Sequence, residues 1–409
     1  MRLRAGFLVL FCSWLAGCTI GPRALENHRL RYNEAVKRTS EEQLLLNIVR
    51  LRYTDTPSSI SVTSIATQHE FVKSLKMGQF FTDGVFTSLL PLVELTGVDR
   101  PTIALTPQDD QDFTKRLFTP IPLEGVVYLS KTTWPISTVF RLWVEHLNWV
   151  SNAEAGSGPT PKTAPIYREF LEGIQALQRL EDRKVVHFSS EETEVKISEG
   201  LASPKLSGTD VLEAAKAGFE FRRDEKKDVW TLIKKRQSPH LYIDAKHLQD
   251  SDLKIFCQAF KLKPGLTRYD LVAGKSYPYL ADAPKEGLTY LDLESRSLLQ
   301  VLFFLSHAVQ VPHEHARTGQ APMTLEHDGC VFDWRSVHDG FFQVSHTKCR
   351  QRPKNAHVAI QYEGYWFYID TRDRDTKATF ALVMELARLE LAGKSAEAGP
   401  ILTLPIGGR

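Results

Sequence analysis

Residues 356–370, AHVAIQYEGYWFYID, constrain the fold more than any other stretch of this 409-residue chain. Val358, Ile360 and Tyr362 alternate with their neighbours, Glu363-Gly364 supplies a turn, and Tyr365, Phe367 and Ile369 alternate on the return. A period of two is the pattern of a β-hairpin with one face in a core. That face needs a partner layer, and TKATFALVMELARLELAG (376–393) offers one as a patterned helix closed by Gly393. A helix laid on an antiparallel hairpin is an α+β arrangement.

The same mixture runs upstream. TSEEQLLLNIVRLRY (39–53) predicts a helix that starts with a Ser40–Gln43 capping box and carries Glu41 and Glu42 in its first turn. TDTP ends it, and SISVTSIATQ (59–68) predicts a strand. DRPTIALTPQDDQDF reads as a short strand and a helix start near Asp109, and ISTVFRLWVEHLNWV (136–150) as a helix. SNAEAGSGPTPKTAP (151–165) is rich in Gly, Pro and Ser and is expected to be a linker or mobile loop. IYREFLEGIQALQRLED (166–182) returns to helical period, followed by short strands and the hairpin FEFRRDEKKDVWTLIKK. A helix is expected over 293–311; Gln300, Ser306, His307 and Gln310 interrupt its apolar run, which fits a core helix and not a membrane span.

The expected architecture is therefore α+β, several helices packed on small antiparallel sheets in more than one subdomain. Its parts are an N-terminal region 18–150, the 151–165 linker, an α+β middle region 166–290 and a C-terminal α+β region 291–409.

The first residues carry an address. Arg2 and Arg4 precede an apolar run, Gly6 to Trp14, too short to cross a bilayer as a helix but suited to a signal peptide over 1–17. Leu15-Ala16-Gly17-Cys18 resembles the bacterial lipobox. That resemblance implies cleavage before Cys18, a diacylglycerol on its sulfur and an acylated amine. Two or more chains anchor stably where one binds marginally. Thr19, where inner-membrane lipoproteins of enteric bacteria carry Asp, implies the outer membrane with the body on its periplasmic face. Removing residues 1–17 takes away Arg2 and Arg4 and no acid, so the formal charge of +2 becomes zero. A neutral chain with dispersed Lys and Arg is not expected to bind nucleic acid. Of the remaining cysteines, Cys257 sits in an apolar segment, while Cys330 and Cys349 can pair in an oxidising compartment, closing a loop worth about 3 kcal/mol.

Candidate chemistry is concentrated late in the chain. Seven of the thirteen histidines lie between His307 and His357. His313 and His315, two apart, can ligate one metal only from an extended backbone; HExxH and CxxC spacings are absent, and a polar loop with incidental histidines explains the same residues. DGCVFDW followed by the hairpin resembles the Cys, His, Asp order of transglutaminase-like cysteine enzymes. The resemblance implies Cys330 as nucleophile, His357 as base and Asp370 as its orienter. A hairpin packing its aromatic face into a core explains those residues equally. DTRDRDTKATF, with Asp370, Asp373 and Asp375, suits local ion pairs and a helix cap at Asp375 or Thr376 better than a calcium loop. P-loop, dinucleotide and GxSxG patterns are absent, and no cofactor is expected.

Three passages, SEEQLLLNIVRLRYTDTPSSISVTSI, FTKRLFTPIPLE and GYWFYIDTRDRDTKATF, resemble a set of uncharacterised outer-membrane lipoproteins of Gram-negative bacteria. The resemblance runs along most of the chain and supports the anchor, but it brings no activity, ligand or catalytic residue. The expectation is a lipid-anchored, periplasm-facing protein that touches the membrane through its N-terminal lipid. It is expected to bind an unidentified envelope protein or support assembly, without catalysis. The alternative is a cysteine hydrolase or metal-dependent enzyme centred on residues 307–375.

Overall fold

In the computed structural model, residues 20–58, 60–82, 85–107, 111–202, 207–224, 229–274 and 286–391 are described. The expected signal peptide and Cys18 lie outside them. The chain divides into two units. The first draws its described residues from 20–44, 57–114 and 388–391, and the second is 45–56 with 115–387. No helix among the described residues is long and apolar enough to cross a membrane.

Helix α1 (Ile20–Arg52) begins in the first unit, and its residues from Leu45 onward belong to the second. The helix runs straight through the expected start at Ser40. Thr39 Oγ1 donates to the Ala35 carbonyl at 2.9 Å and Ser40 Oγ to that of Val36 at 2.8 Å. Hydroxyls turned back onto the preceding turn do not cap, so the helix continues. Strands β1 (Ile60–Thr82) and β2 (Val85–Pro107) then form an antiparallel ribbon, paired from Ile60 opposite Pro107 to Thr82 opposite Val85 with register shifts at Val62/Ser64 and Phe80/Phe81. The strand predicted over 59–68 is only the base of β1. Helix α2 (Gln111–Phe118) follows.

The second unit continues with α3 (Leu123–Ser130) and α4 (Ile136–Trp143), then β3 (Val144–Leu147) and β4 (Val150–Ser151). The single helix expected over 136–150 stops at Trp143, because Asn148 and Trp149 take positive φ (46° and 64°) and turn the chain back as a hairpin. Asn148 is fully buried; its Nδ2 donates to the Phe260 carbonyl at 2.7 Å and its Oδ1 accepts from the Asp292 amide at 2.7 Å. Next come α5 (Arg168–Asp182), β5 (Val186–Ala202), α6 (Gly208–Lys216), β6 (Phe219–Asp224), β7 (Val229–Ile243), α7 (Ser251–Ala259), β8 (Arg268–Val272) and β9 (Tyr290–Ser295). Seven strands form one sheet in the order β4-β3-β9-β8-β7-β5, with β6 also on β7; every pair is antiparallel except β8–β9.

This sheet corrects the expected boundaries. It takes β3 and β4 from before the supposed linker, β5 to β8 from the middle region and β9 from its end, so the chain does not divide at 151–165 or near 290. Residues 151–165 are not a linker. Asn152, Gly156 and Ser157 are buried, and Asn152 Nδ2 donates to the carbonyls of Arg141 and Val144 at 2.9 and 2.7 Å. Here glycine serves close packing. The same holds at Gly173 on α5, where a Cβ would stand 2.5 Å from the Phe260 ring.

The expected helix over 293–311 is shortened to α8 (Leu298–Ser306) by β9 before it, with Ser297 and Gln300 forming a capping box. After α9 (His313–Thr318), α10 (Arg335–His338) and β10 (Ser345–Thr347) comes the hairpin of β11 (Ala356–Tyr362) and β12 (Tyr365–Asp370). Positive φ at Glu363 (46°) and Gly364 (79°) gives the tight turn that the sequence predicts. A three-stranded sheet β10-β12-β11 results, followed by α11 (Arg374–Leu391) with Phe380, Val383 and Met384 buried. The fold is α+β.

Candidate functional site

A cavity of about 670 Å³ opens in the second unit where the end of α8, the 331–334 loop, α10 and β10 meet. Its wall is built on one aromatic stack. The His307 imidazole lies on the Trp334 indole, centroids 4.3 Å apart and planes 19° from parallel. His307 Nε2 faces the Gly156 carbonyl at 3.1 Å, and a Cβ on Gly156 would stand 3.0 Å from the indole. Trp334 is held from behind, its Nε1 donating to Thr324 Oγ1 at 3.0 Å, which donates in turn to the Pro161 carbonyl at 2.9 Å. The stretch read as a linker thus packs behind the His307–Trp334 stack that forms the wall.

Two histidines here are built to stay neutral. Burial, with Arg52 and His338 nearby, pushes His307 well below the usual imidazole range. His338 sits with Nδ1 at 3.1 Å from the Trp334 carbonyl and Nε2 at 3.0 Å from that of Phe304. Those carbonyls favour the charged ring, but burial outweighs them and pushes its pKa down to about 3.

The positive charge comes from buried arginines instead. Arg52, which lines the cavity, donates to the Pro322 carbonyl at 2.6 Å and to Thr160 Oγ1 at 3.1 Å. Arg141 donates to the carbonyls of Val337 and Asp339 and lies over the Phe341 ring, 4.5 Å from its centroid. Arg296 is fully buried, bonded to Ser157 Oγ and to the carbonyls of Arg141, Leu142, Val144 and Asn152, and lies over Phe304. Burial lowers all three, to about 10 for Arg52 and Arg141 and about 9 for Arg296, which leaves each charged near neutrality. None makes an ion pair with a carboxylate among the described residues; neutral oxygens hold them all. The field around His338 and His307 is therefore positive.

The residues singled out from sequence do not assemble into a catalytic set. Cys330 is exposed in a loop, its amide bonded to Asp328 Oδ1 at 2.9 Å. His357 is exposed at a register shift in β11, between Ala356 and Val358, so the alternation that would aim it inward is broken there. Asp370 accepts from Arg372 and Asn355, and these contacts hold its carboxyl down at about 2. No hydrogen bond or ion pair links the three. His313 and His315 do not form a ligand pair either, because α9 is helical and sends residues two apart to different faces. His313 is exposed, whereas His315 is buried and shares a 2.7 Å hydrogen bond with the Tyr53 hydroxyl. Cys330 and Cys349 are free, exposed thiols rather than a disulfide. Asp373, not Asp375 or Thr376, caps α11, accepting from the Thr376 amide at 3.0 Å and its hydroxyl at 2.6 Å.

One grouping was hidden in the sequence by the helix expected over 136–150. Glu145 and His146 on β3 and Glu294 on β9 bring one donor atom each within 4.8 Å of one another, and Glu154 also contacts His146. Imidazole and carboxylates are donors that a divalent metal takes. Glu154 and Glu294 are more than half exposed, however, and exposed carboxylates do not by themselves mark a site. Comparisons of the chain with protein-family models, curated proteins and solved structures find no match.

Proposed function

We propose that this chain is a lipid-anchored envelope protein, held by Cys18 at the periplasmic face of the outer membrane. It binds an acidic segment of another envelope protein and thereby serves assembly there. The anchor rests on Leu15-Ala16-Gly17-Cys18 behind a basic start and a short apolar run. The observation that supports binding is the cavity. A stacked His307–Trp334 wall stands beside Arg52, which makes no ion pair among the described residues, so an acidic group that reaches it displaces no internal carboxylate, while Asp333, Asp339 and Asp373 on the same lining restrict where such a group can enter. Among the lining residues, Thr376 is the one hydroxyl, and it already donates to Asp373; the His307 and His338 rings face carbonyls. That inventory supports recognition over group transfer.

Two experiments test the two halves. Labelled palmitate is expected to enter the wild type and not Cys18→Ala; equal incorporation contradicts the anchor. A photo-crosslinker at exposed Val331, a cavity-lining position, is expected to capture an envelope protein through an acidic segment, with yield falling as ionic strength rises. No adduct, or one indifferent to salt, contradicts the binding reading.

A further inference from the structure

The β1–β2 ribbon is the largest feature that the cavity does not use. Each strand is 23 residues long, and among the described residues each pairs only with the other. Among the described residues both outer edges therefore present rows of unpaired N–H and C=O groups, and a two-stranded ribbon by itself is marginal in water.

The register sorts the distal part of the ribbon, from Phe71 opposite Gly97 to Phe81 opposite Phe86, into two unlike faces. One face holds Phe71, Leu75, Met77, Leu89, Val93 and Leu95, interrupted by Lys73 and Gln79. The other holds Ser74, Lys76, Ser88, Glu94 and Thr96, with Val72, Gly78, Phe80, Leu90 and Leu92 among them. Phe71 to Phe81 spans eleven residues, about 36 Å at roughly 3.3 Å each. A tilted strand crossing a bilayer needs about 9–11 residues. Polar sequence bounds the apolar band at both ends: Gln68 and His69 stand opposite Arg100 and Asp99 at the base, and Thr82-Asp83-Gly84 follows Phe81 in the sequence. A band of one bilayer thickness between polar flanks, alternating over 74–78 in β1 and 93–96 in β2, is the pattern of a membrane β-strand, and in hydrocarbon such strands persist only as a closed barrel.

We propose that several copies of this chain pair their ribbons edge to edge into a closed β-barrel, in which residues 71–97 cross the bilayer with the Phe71–Leu95 face toward lipid. The ribbons' two open edges name the occupant: β1 of one copy lies beside β2 of the next. Eight strands is about the smallest membrane barrel, so about four copies or more are needed. Pro91 lacks an N–H and removes one ladder bond, while β1 contains no proline and keeps every donor. The proposal rests on the lipid-anchored envelope reading.

The test uses the full-length lipidated chain in outer membranes, with Cys257, Cys330 and Cys349 replaced by Ser. Single cysteines are placed at each position from 74 to 78 and exposed to a membrane-impermeant maleimide in opened membranes. Labelling is expected to alternate, with positions 74, 76 and 78 at least tenfold above 75 and 77. The unboiled wild type is expected to migrate as an oligomer of at least four chains that heat dissociates. Uniform labelling overturns the proposal, and alternation on a monomer overturns it as well, since it describes a ribbon lying on the bilayer surface. Loss of palmitate dependence at Cys18 would sink the anchor alone, because the maleimide pattern is read on the membrane fraction whatever holds the chain there.

Discussion

The second unit and the β1–β2 ribbon solve the same problem in opposite ways. In the second unit most of the large buried polar side chains are met from inside: Arg296 is satisfied by a hydroxyl and four carbonyls, and Asn148 ties α7's C-terminal end to β9, with exceptions such as Trp143 Nε1 and Arg52 Nε. The ribbon pairs one edge of each strand and, among the described residues, leaves the other open. A region whose buried polar groups are mostly met from inside can present a rigid cavity. One that does not has to complete itself with something outside the chain. On the two proposals made above, recognition falls to the body and assembly to the ribbon.

The comparison breaks first at Arg296. Arg296→Ala strands the carbonyls of Leu142 and Asn152 and empties a fully buried volume, so we expect a loss of about 4 kcal/mol in urea unfolding. A loss under about 1 kcal/mol would mean that the body does not depend on its internal network. Next is Gly173→Ala. The added methyl meets the Phe260 ring and the Ala259 Cβ, 2.5 and 2.8 Å away, and overpacking of that kind costs about 2 kcal/mol. An unchanged midpoint would show that α5 and α7 can part without penalty.

Why some of this was legible and some was not follows from range. The hairpin 356–370 is decided by neighbours in sequence, and Glu363-Gly364 turns where the pattern requires. Gly156 was misread because glycine signals flexibility in sequence, while here it makes room for Trp334, a residue far along the chain. Arginine reads as surface, yet Arg52, Arg141 and Arg296 are buried on oxygens supplied by distant loops. The histidines crowd together in sequence and disperse in space, His307 and His338 into the wall, His313 and His357 to the surface. In the ribbon, Lys73 on one face and Leu90 and Leu92 on the other blur an alternation that only the register resolves.

Acid sharpens the account of the wall. His338 has a folded-state pKa of about 3, below the roughly 6.5 of an unfolded histidine, and that of His307 is lowered too. The unfolded chain thus takes up the proton first. The His338 contribution is complete above about pH 6.5 and declines as pH falls toward 3, by about 1.4 kcal/mol per pH unit, and His307 acts in the same direction. His338→Gln is expected to flatten that slope in denaturation curves; an unaltered slope would place the acid sensitivity elsewhere. The smallest effect is expected at Cys330. Cys330→Ser should leave stability within about 0.5 kcal/mol, and a thiol reagent should reach Cys330 and Cys349 in the folded chain but Cys257 only after unfolding. A protected Cys330 would reopen the cysteine-hydrolase reading.

Hydrogen exchange on the full-length chain, compared between its membrane-bound form and a Cys18→Ala form purified in water, reads the central contrast directly. Amides of the seven-stranded sheet should exchange slowly in both. Those of residues 71–97 should become slow only in the membrane, where neighbouring ribbons pair their open edges. Equal exchange of 71–97 in the two forms would contradict the division of labour between a self-satisfied body and a ribbon completed from outside.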